Sequence, residues 1–136
     1  MDLEYHNALP SKEGCVILSL IQISTFQSDF VIDVFMLRDK IREQKGQGSL
    51  FSMFGDFKVV KILHGGDSDL KYLIADLGIV TVNVFDTARA LSFIQRIPNL
   101  NTIKKQKQVQ ISKNVNYISL DKLTNLFVKV NLDKFF

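Results

Sequence analysis

The sequence predicts an α/β fold class built on a mixed β-sheet flanked by helices. Three observations lead to this prediction. Short runs rich in Val, Ile and Phe, bounded by Gly, Asp or Asn, recur at the length of strands. The first two runs are separated only by residues 25–29, the spacing of an antiparallel hairpin. The later runs alternate with segments of helical length, as in strands joined by crossover helices.

The predicted strands begin at the amino terminus, where Asp2 and Glu4 alternate with Leu3. Two of the longer runs contain phenylalanines with apolar neighbours, and we expect Phe30, Phe35 and Phe85 to lie in the core rather than to stack on nucleic-acid bases. The longer predicted strands are residues 15–24, 30–35, 59–64 and 80–85.

Two helical segments are predicted between these strands. Residues 36–54 have apolar side chains on both sides of a Gly-Gln-Gly sequence, which predicts a helix, a break and a second short helix. Residues 67–77 have leucine and isoleucine at helical spacing. Asp67 or Ser68 is a candidate cap for this helix, and Gly78 ends it.

Two more helices are predicted near the carboxyl end. Asp86 and Thr87 offer a cap for a helix that ends before Pro98. The last helix is expected from about Ser119. Because no internal repeat or linker divides the chain, residues 1–136 are predicted to belong to one domain.

Composition narrows the class of protein. The longest apolar run, residues 15–23, is interrupted by Ser19 and Gln22 and is shorter than the ~20 residues of a membrane span. The sequence shows no secretory signal, and the single cysteine, Cys15, cannot form an internal disulfide. We therefore expect an intracellular protein with no membrane contact and Cys15 as a buried apolar residue.

One segment concentrates positive charge. Residues 97–117 contain four lysines and no acidic residue, within a chain of net charge +3. A basic loop on a near-neutral body can contact a polyanion such as RNA, and it is equally typical of a solvated insertion. The lysines are Lys104, Lys105, Lys107 and Lys113.

Two acidic clusters are candidates for chemistry. On a strand, Asp2 and Glu4 point to the same face, and neighbouring carboxylates repel each other unless a cation lies between them. The alternative is a solvated acidic tail. The second cluster, His64-Gly65-Gly66-Asp67-Ser68-Asp69, lies where a predicted strand ends and a helix begins, a common ligand position in α/β proteins. Its acids could also be simple helix caps.

Taken together, these motifs resemble the exosome-associated nuclear exoribonucleases of the RNase D group, within the DEDD exonucleases. The resemblance covers nearly the whole chain, in order and spacing. It includes Asp-Leu-Glu-Tyr-His, Leu-Ile-Gln-Ile-Ser-Thr, Phe-Val-Ile-Asp, the run from Val59 to Asp69, Phe-Asp-Thr, and Ser-Leu-Asp-Lys-Leu from Ser119.

The resemblance implies an RNase H-like fold and a two-metal site for Mg²⁺ or Mn²⁺. Asp2, Glu4 and Asp69 match three of the family's four metal-binding catalytic acids, which leaves Asp67 as a helix cap. His64 and His6 are weaker candidates for contacts to the 3′ nucleotide, with a structural role as the alternative. The implied substrate is single-stranded RNA with a free 3′ end, in the nucleus and in association with the RNA exosome.

The sequence departs from this family at both ends. Tyr117 and Asp121 have the spacing of the family's third motif, Tyr-x-x-x-Asp, but their neighbours fit the preceding Ser-Leu-x-x-Leu helix better. Only Met1 precedes Asp2, whereas the family's first strand begins earlier. We therefore expect a domain incomplete at both ends, with residues 97–117 as a basic insertion.

Three hypotheses follow. The chain is an exoribonuclease domain, or a catalytically incomplete module that binds RNA or a protein partner, or an unrelated α/β domain whose acids cap helices. Metal-dependent nuclease activity separates the first two hypotheses. The third predicts that divalent cations do not stabilise the fold.

Overall fold

The computed structural model describes residues 1–7, 16–95 and 118–128. The chain divides into two compact units, Met1–Phe85 and Asp86–Phe136. The prediction of one domain for the whole chain stays a prediction. The strands are β1 (Asp2–Asn7), β2 (Val16–Ser24), β3 (Asp29–Asp33), β4 (Lys61–Leu63) and β5 (Val84–Asp86). The helices are α1 (Val34–Glu43), α2 (Leu50–Gly55), α3 (Asp67–Tyr72, followed by a π-helical turn Leu73–Leu77), α4 (Thr87–Gln95) and α5 (Leu120–Phe127).

A three-stranded antiparallel sheet forms in the order β1-β2-β3. The β2–β3 hairpin closes at Thr25, whose N–H donates to the Ser28 carbonyl at 2.9 Å. This confirms the predicted hairpin. In the pairing, Leu3 lies opposite Ile21, and Ile21 lies opposite Ile32. These three side chains therefore share one face of the sheet.

A β-bulge in β2 changes which residues of that strand face the core. Glu4 pairs with Leu20 and Tyr5 with Leu18, which leaves Ser19 as the extra residue. The Ser19 hydroxyl donates to the Glu4 carbonyl at 2.9 Å. As a result Leu18 and Ile21, three positions apart, are both fully buried.

The second sheet contains β4 and β5. The Met1 amino group donates to the Ile62 carbonyl at 2.9 Å, so the start of β1 contacts β4. The predicted single mixed sheet is therefore present as sheets of three and two strands.

The core of the first unit lies on the Leu3 face of the three-stranded sheet. Both α1 and the π-helical turn after α3 contribute buried side chains to it, through Val34, Ile41, Leu73 and Leu77. The other buried members of this cluster are Leu3, Leu18, Ile21, Phe54 and Ile79.

Some element boundaries differ from the prediction. Helix α1 begins at Val34, so Phe35 is helical, because the Asp33 carboxylate accepts the Met36 N–H at 2.9 Å and caps the helix. Strand β5 begins at Val84 rather than at residue 80. The Val82 N–H donates to the Phe54 carbonyl at 3.1 Å instead of to a strand.

Other predicted helix ends are confirmed. Gly78 ends the π-helical turn with φ +71°. The Asp86 carboxylate accepts the Ala88 N–H at 2.8 Å at the start of α4. At α5, the Ser119 hydroxyl accepts the Lys122 N–H.

Candidate active site

The two opening acids lie together on the face of the three-stranded sheet that points away from the core. Asp2 and Glu4 are exposed, whereas Leu3 between them is 5% exposed. We call this the open face and define it by Asp2, Glu4, His6, Leu20, Gln22, Asp29, Val31 and Asp33. The alternation predicted for Asp2 and Glu4 is therefore confirmed, and the two Cα atoms lie about 7 Å apart at the rise of a strand.

A pocket of about 530 Å³ opens on this face. Its lining contains two acids and a histidine beside aliphatic and aromatic groups. Phe35 lines it and is 71% exposed, which makes the prediction of a core position for Phe35 wrong. Phe30 and Phe85, 51% and 50% exposed, are not core residues either. The lining residues are Glu4, His6, Ser19, Leu20, Asp33 and Phe35.

The acids of this face differ in what they contact. The Asp2 carboxylate accepts the N–H of its neighbour Leu3 at 3.0 Å. Leu20 in β2 pairs with Glu4 on one side and with Asp33 on the other. The spacing of strands therefore puts the Cα atoms of Glu4 and Asp33 about 10 Å apart. Asp33 also caps α1. Its place in the pocket was not predicted, because strand pairing rather than local sequence brings it there.

The second acidic cluster forms a tight turn between β4 and α3. Gly65 has φ +69°, which other residues rarely adopt. A Cβ on Gly66 would lie 2.7 Å from Leu63 Cδ1, so only glycine fits without displacing Leu63. Asp69 is half-buried in the first turn of α3, where the positive end of the helix dipole favours a carboxylate.

The predicted cap of α3 is wrong. The N-cap residue is Gly66, with no side-chain cap hydrogen bond, and Asp67 is the first residue of the helix. The glycine turn brings the chain into the helix without an Asp or Ser at the capping position. Asp67 is exposed, and His64 is half-buried at the end of β4.

Helix α3 lies beside β1, but on the core side of the sheet. The rings of Tyr5 and Tyr72 are in contact, with centroids 4.6 Å apart. Tyr5 faces opposite to Glu4 on the strand, and Asp69 lies one turn before Tyr72 on about the same helix face. Asp2 and Glu4 thus share the open face, and within the described residues the three acids do not form a group that could hold a metal ion.

The acidic side chains of this region are suitable ligands for a hard divalent cation, but their arrangement is incomplete. Carboxylate oxygens are appropriate ligands for Mg²⁺ or Mn²⁺. In the ranges 1–7, 16–95 and 118–128, however, no group of three or more His, Cys, Asp or Glu side chains is arranged to hold a metal ion. The roles predicted for Asp2, Glu4, Asp69, His64 and His6 remain predictions.

Several predicted features lie outside the described residues. These are Cys15, Tyr117 and the basic insertion 97–117 with Lys104, Lys105, Lys107 and Lys113. Asp121 lies in the first turn of α5. Among the helices in the described ranges, none is long and apolar enough to cross a membrane.

Comparison with known proteins identifies close sequence relatives. A family model described as 3′-5′ exonuclease matches residues 1–135. The Exosome complex component 10 homolog of Caenorhabditis elegans is 40% identical over 91 residues, which cover 67% of this chain and 9% of the relative. Exosome complex component 10 of Homo sapiens is 31% identical over 134 residues, covering 98% and 12% respectively. Protein RRP6-like 2 of Arabidopsis thaliana is 34% identical over 121 residues, covering 89% and 13%. The chain thus spans 9–13% of the length of these relatives.

Solved structures confirm the fold class. The EXD2 exonuclease domain soaked in Mg and GMP matches with a TM-score of 0.52 at 21% identity, covering 96% of this chain and 56% of that chain. The same domain soaked in Mn and GMP matches with a TM-score of 0.50 at 22% identity, with the same coverage. The RNase H-like α/β fold is therefore shown.

Proposed function

Because the chain belongs to the 3′-5′ exonuclease family, we propose that it acts as an exoribonuclease domain that removes nucleotides from the 3′ ends of single-stranded RNA. The observation that supports this most directly is that Asp2 and Glu4 are exposed on one face of the sheet and that Glu4 lines a pocket together with His6. Three relatives are named as exosome components or RRP6-like proteins. They support a role in nuclear RNA processing, with the RNA exosome as partner.

The proposed catalytic groups are Asp2, Glu4 and Asp69, as ligands of Mg²⁺ or Mn²⁺. Such a metal, when bound, would offset the negative charge that develops on the phosphodiester. Asp2 and Glu4 would provide its oxygen ligands from a rigid strand, which favours a fixed geometry. His6, in the same pocket, would contact the terminal nucleotide, and His64 is a second candidate for that contact.

The second candidate function is a catalytically incomplete module that binds RNA or a protein partner. It is favoured by one observation: across the described ranges, Asp69 is not gathered with Asp2 and Glu4. An incomplete ligand set fixes neither the charge nor the geometry of the cation, so hydrolysis would be slow.

The experiment that separates these functions is nucleotide release from single-stranded RNA labelled at its 5′ end, with Mg²⁺ or Mn²⁺ present. A DNA of the same sequence tests the preference for RNA. We expect the RNA to be shortened from its 3′ end, and we expect the rate of shortening to fall on the order of a hundredfold or more in Asp69→Asn. The matched control is Asp67→Asn, which removes a carboxylate from the same helical turn but not from the proposed site.

Each outcome decides between the candidates. Equal activity in Asp69→Asn and Asp67→Asn would exclude Asp69 as a ligand. A folded chain that binds the RNA in a gel-shift assay and releases no nucleotide would favour the binding module. Shortening of a substrate blocked by a 3′ phosphate at the same rate would argue against attack from the 3′ end.

A further inference from the structure

The outer edge of β3 has unpaired backbone groups in the part of the chain that the structure describes. β3 is the last strand in the order β1-β2-β3. The hydrogen bond between Thr25 and Ser28 closes the hairpin. From that pair onward, hydrogen-bonded and non-hydrogen-bonded residue pairs alternate along the two strands. Phe30 and Ile32 therefore direct their N–H and C=O groups to β2, while Asp29 and Val31 direct theirs outward.

The side chains of β3 alternate in chemistry as well as in direction. Asp29, Val31 and Asp33 lie on the open face. Phe30 and Ile32 lie on the core face, where Ile32 packs partly against the core and Phe30 is 51% exposed. The strand, Asp-Phe-Val-Ile-Asp, contains none of the lysines or prolines that commonly protect an edge.

The surroundings of this edge are apolar. Val31 is 70% exposed, and Phe26 at the tip of the hairpin is fully exposed. Phe35 and Met36 in the first turn of α1 are 71% and 74% exposed. Exposed apolar side chains on an edge strand and on the residues that flank it in sequence are typical of a surface that binds another molecule.

A second copy of this chain is a poor occupant of the edge. Antiparallel pairing centred on Val31 would place Asp29 of one copy opposite Asp33 of the other. In-register parallel pairing would place each aspartate next to its own counterpart. Like charges side by side in a sheet are destabilising, so the two aspartates disfavour self-pairing and favour a cationic strand.

We propose that the outer edge of β3 binds an extended peptide in which lysine or arginine alternates with apolar residues. The peptide adds to the sheet as a further strand through the outward N–H and C=O groups of Asp29 and Val31. Its cations lie beside Asp29 and Asp33 on the open face. Its apolar side chains lie beside Phe30 and Ile32 on the opposite face.

The test uses a short fluorescent peptide of alternating lysine and valine, with acetylated and amidated ends, and the full chain. A peptide of alternating glutamate and valine is the matched control. Binding is followed by fluorescence anisotropy at low and moderate salt. We expect the lysine peptide to bind more tightly than the glutamate peptide, and we expect the affinity for the lysine peptide to fall as the salt concentration rises.

Two variants test the geometry. Val31→Pro removes an outward N–H without removing a bond to β2, and it should weaken binding about tenfold, the loss of one backbone hydrogen bond. Val31→Thr keeps the N–H and the shape, and it should bind as the parent chain does. Circular dichroism of both variants checks that the sheet remains.

Charge reversal provides an independent readout if Val31→Pro unfolds. Asp29→Lys should weaken binding of the lysine peptide and raise binding of the glutamate peptide, each by about threefold, the scale of an exposed charge pair. Equal binding of both peptides to the parent chain would overturn the proposal. So would self-association of the parent chain that Val31→Pro abolishes, because the edge would then belong to a second copy.

Discussion

The two faces of the three-stranded sheet have opposite roles although they are made of the same strands. On the core face, Leu3, Leu18 and Ile21 are buried against α1 and the turn after α3. On the open face, Asp2 and Glu4 are exposed beside the pocket. Residues one position apart thus serve stability and proposed chemistry separately, so a substitution on one face should leave the other property intact.

The largest effect is expected from the core face. Ile21→Ala should lower the free energy of unfolding by about 2–5 kcal/mol, because it leaves a cavity under a fully buried side chain. Leu20→Ala, one position away on the open face, should cost less than about 1 kcal/mol. Urea unfolding of both variants measures this, and equal losses would show that the two faces are not distinct.

The next effect concerns the part of β2 that extends beyond β3. The buried Asp76 carboxylate accepts the Leu18 N–H at 2.7 Å and pairs with Arg38, which in turn donates to the Leu18 carbonyl at 2.8 Å. These side chains satisfy backbone groups that a neighbouring strand would otherwise bind.

Asp76→Ala should therefore cost about 3 kcal/mol, because it leaves both the Arg38 guanidinium and the Leu18 N–H without their carboxylate partner. Arg42→Ala removes an arginine whose side chain is 48% exposed and should cost about 1 kcal/mol or less. Thermal unfolding of the two variants compares them. A milder effect for Asp76→Ala than for Arg42→Ala would contradict this account.

On the open face, the expected effect is on ligand binding rather than on folding. A Mn²⁺ concentration ten times the dissociation constant should stabilise the parent chain by about 1.4 kcal/mol. Glu4→Gln should remove this gain and change the metal-free stability by less than about 0.5 kcal/mol. Glu43→Gln, an exposed carboxylate at the end of α1, is the control and should keep the gain. Stabilisation that survives Glu4→Gln would place the cation elsewhere.

The smallest effect concerns a buried charge in β4. Burial lowers the pKa of Lys61 from 10.5, and the nearby Asp56 charge opposes this shift. Between the folded-state pKa and 10.5 the unfolded chain binds more protons, so stability should rise with pH in that window. Lys61→Met should lack this rise, although it also loses hydrogen bonds from Lys61 Nζ to the carbonyls of Asp56 and Val59. Denaturant unfolding across that pH window gives the free energy of unfolding of both proteins, and the slopes of this free energy against pH are compared.

Local sequence patterns predicted most of the elements in this protein. The hairpin around residues 25–28, the break between α1 and α2, and the end of the α3 segment at Gly78 were all predictable, since turn residues and periodicity act over a few positions. The α3 cap and the helical start at Val34 were predicted wrongly. Both features depend on which residue caps the helix, and the local sequence is compatible with more than one capping residue.

For the candidate site, the sequence by itself determined that Asp2 and Glu4 share one face and that a glycine turn leads to Asp69, because strand alternation and glycine conformation are local properties. The tertiary structure decided the rest. The bulge at Ser19 set which β2 residues are buried, and pairing across strands brought Asp33 into the pocket with Glu4. The register of the strands depends on contacts between distant parts of the chain, and the free energy of each register depends on which face of the sheet is buried. No local sequence pattern therefore predicts it.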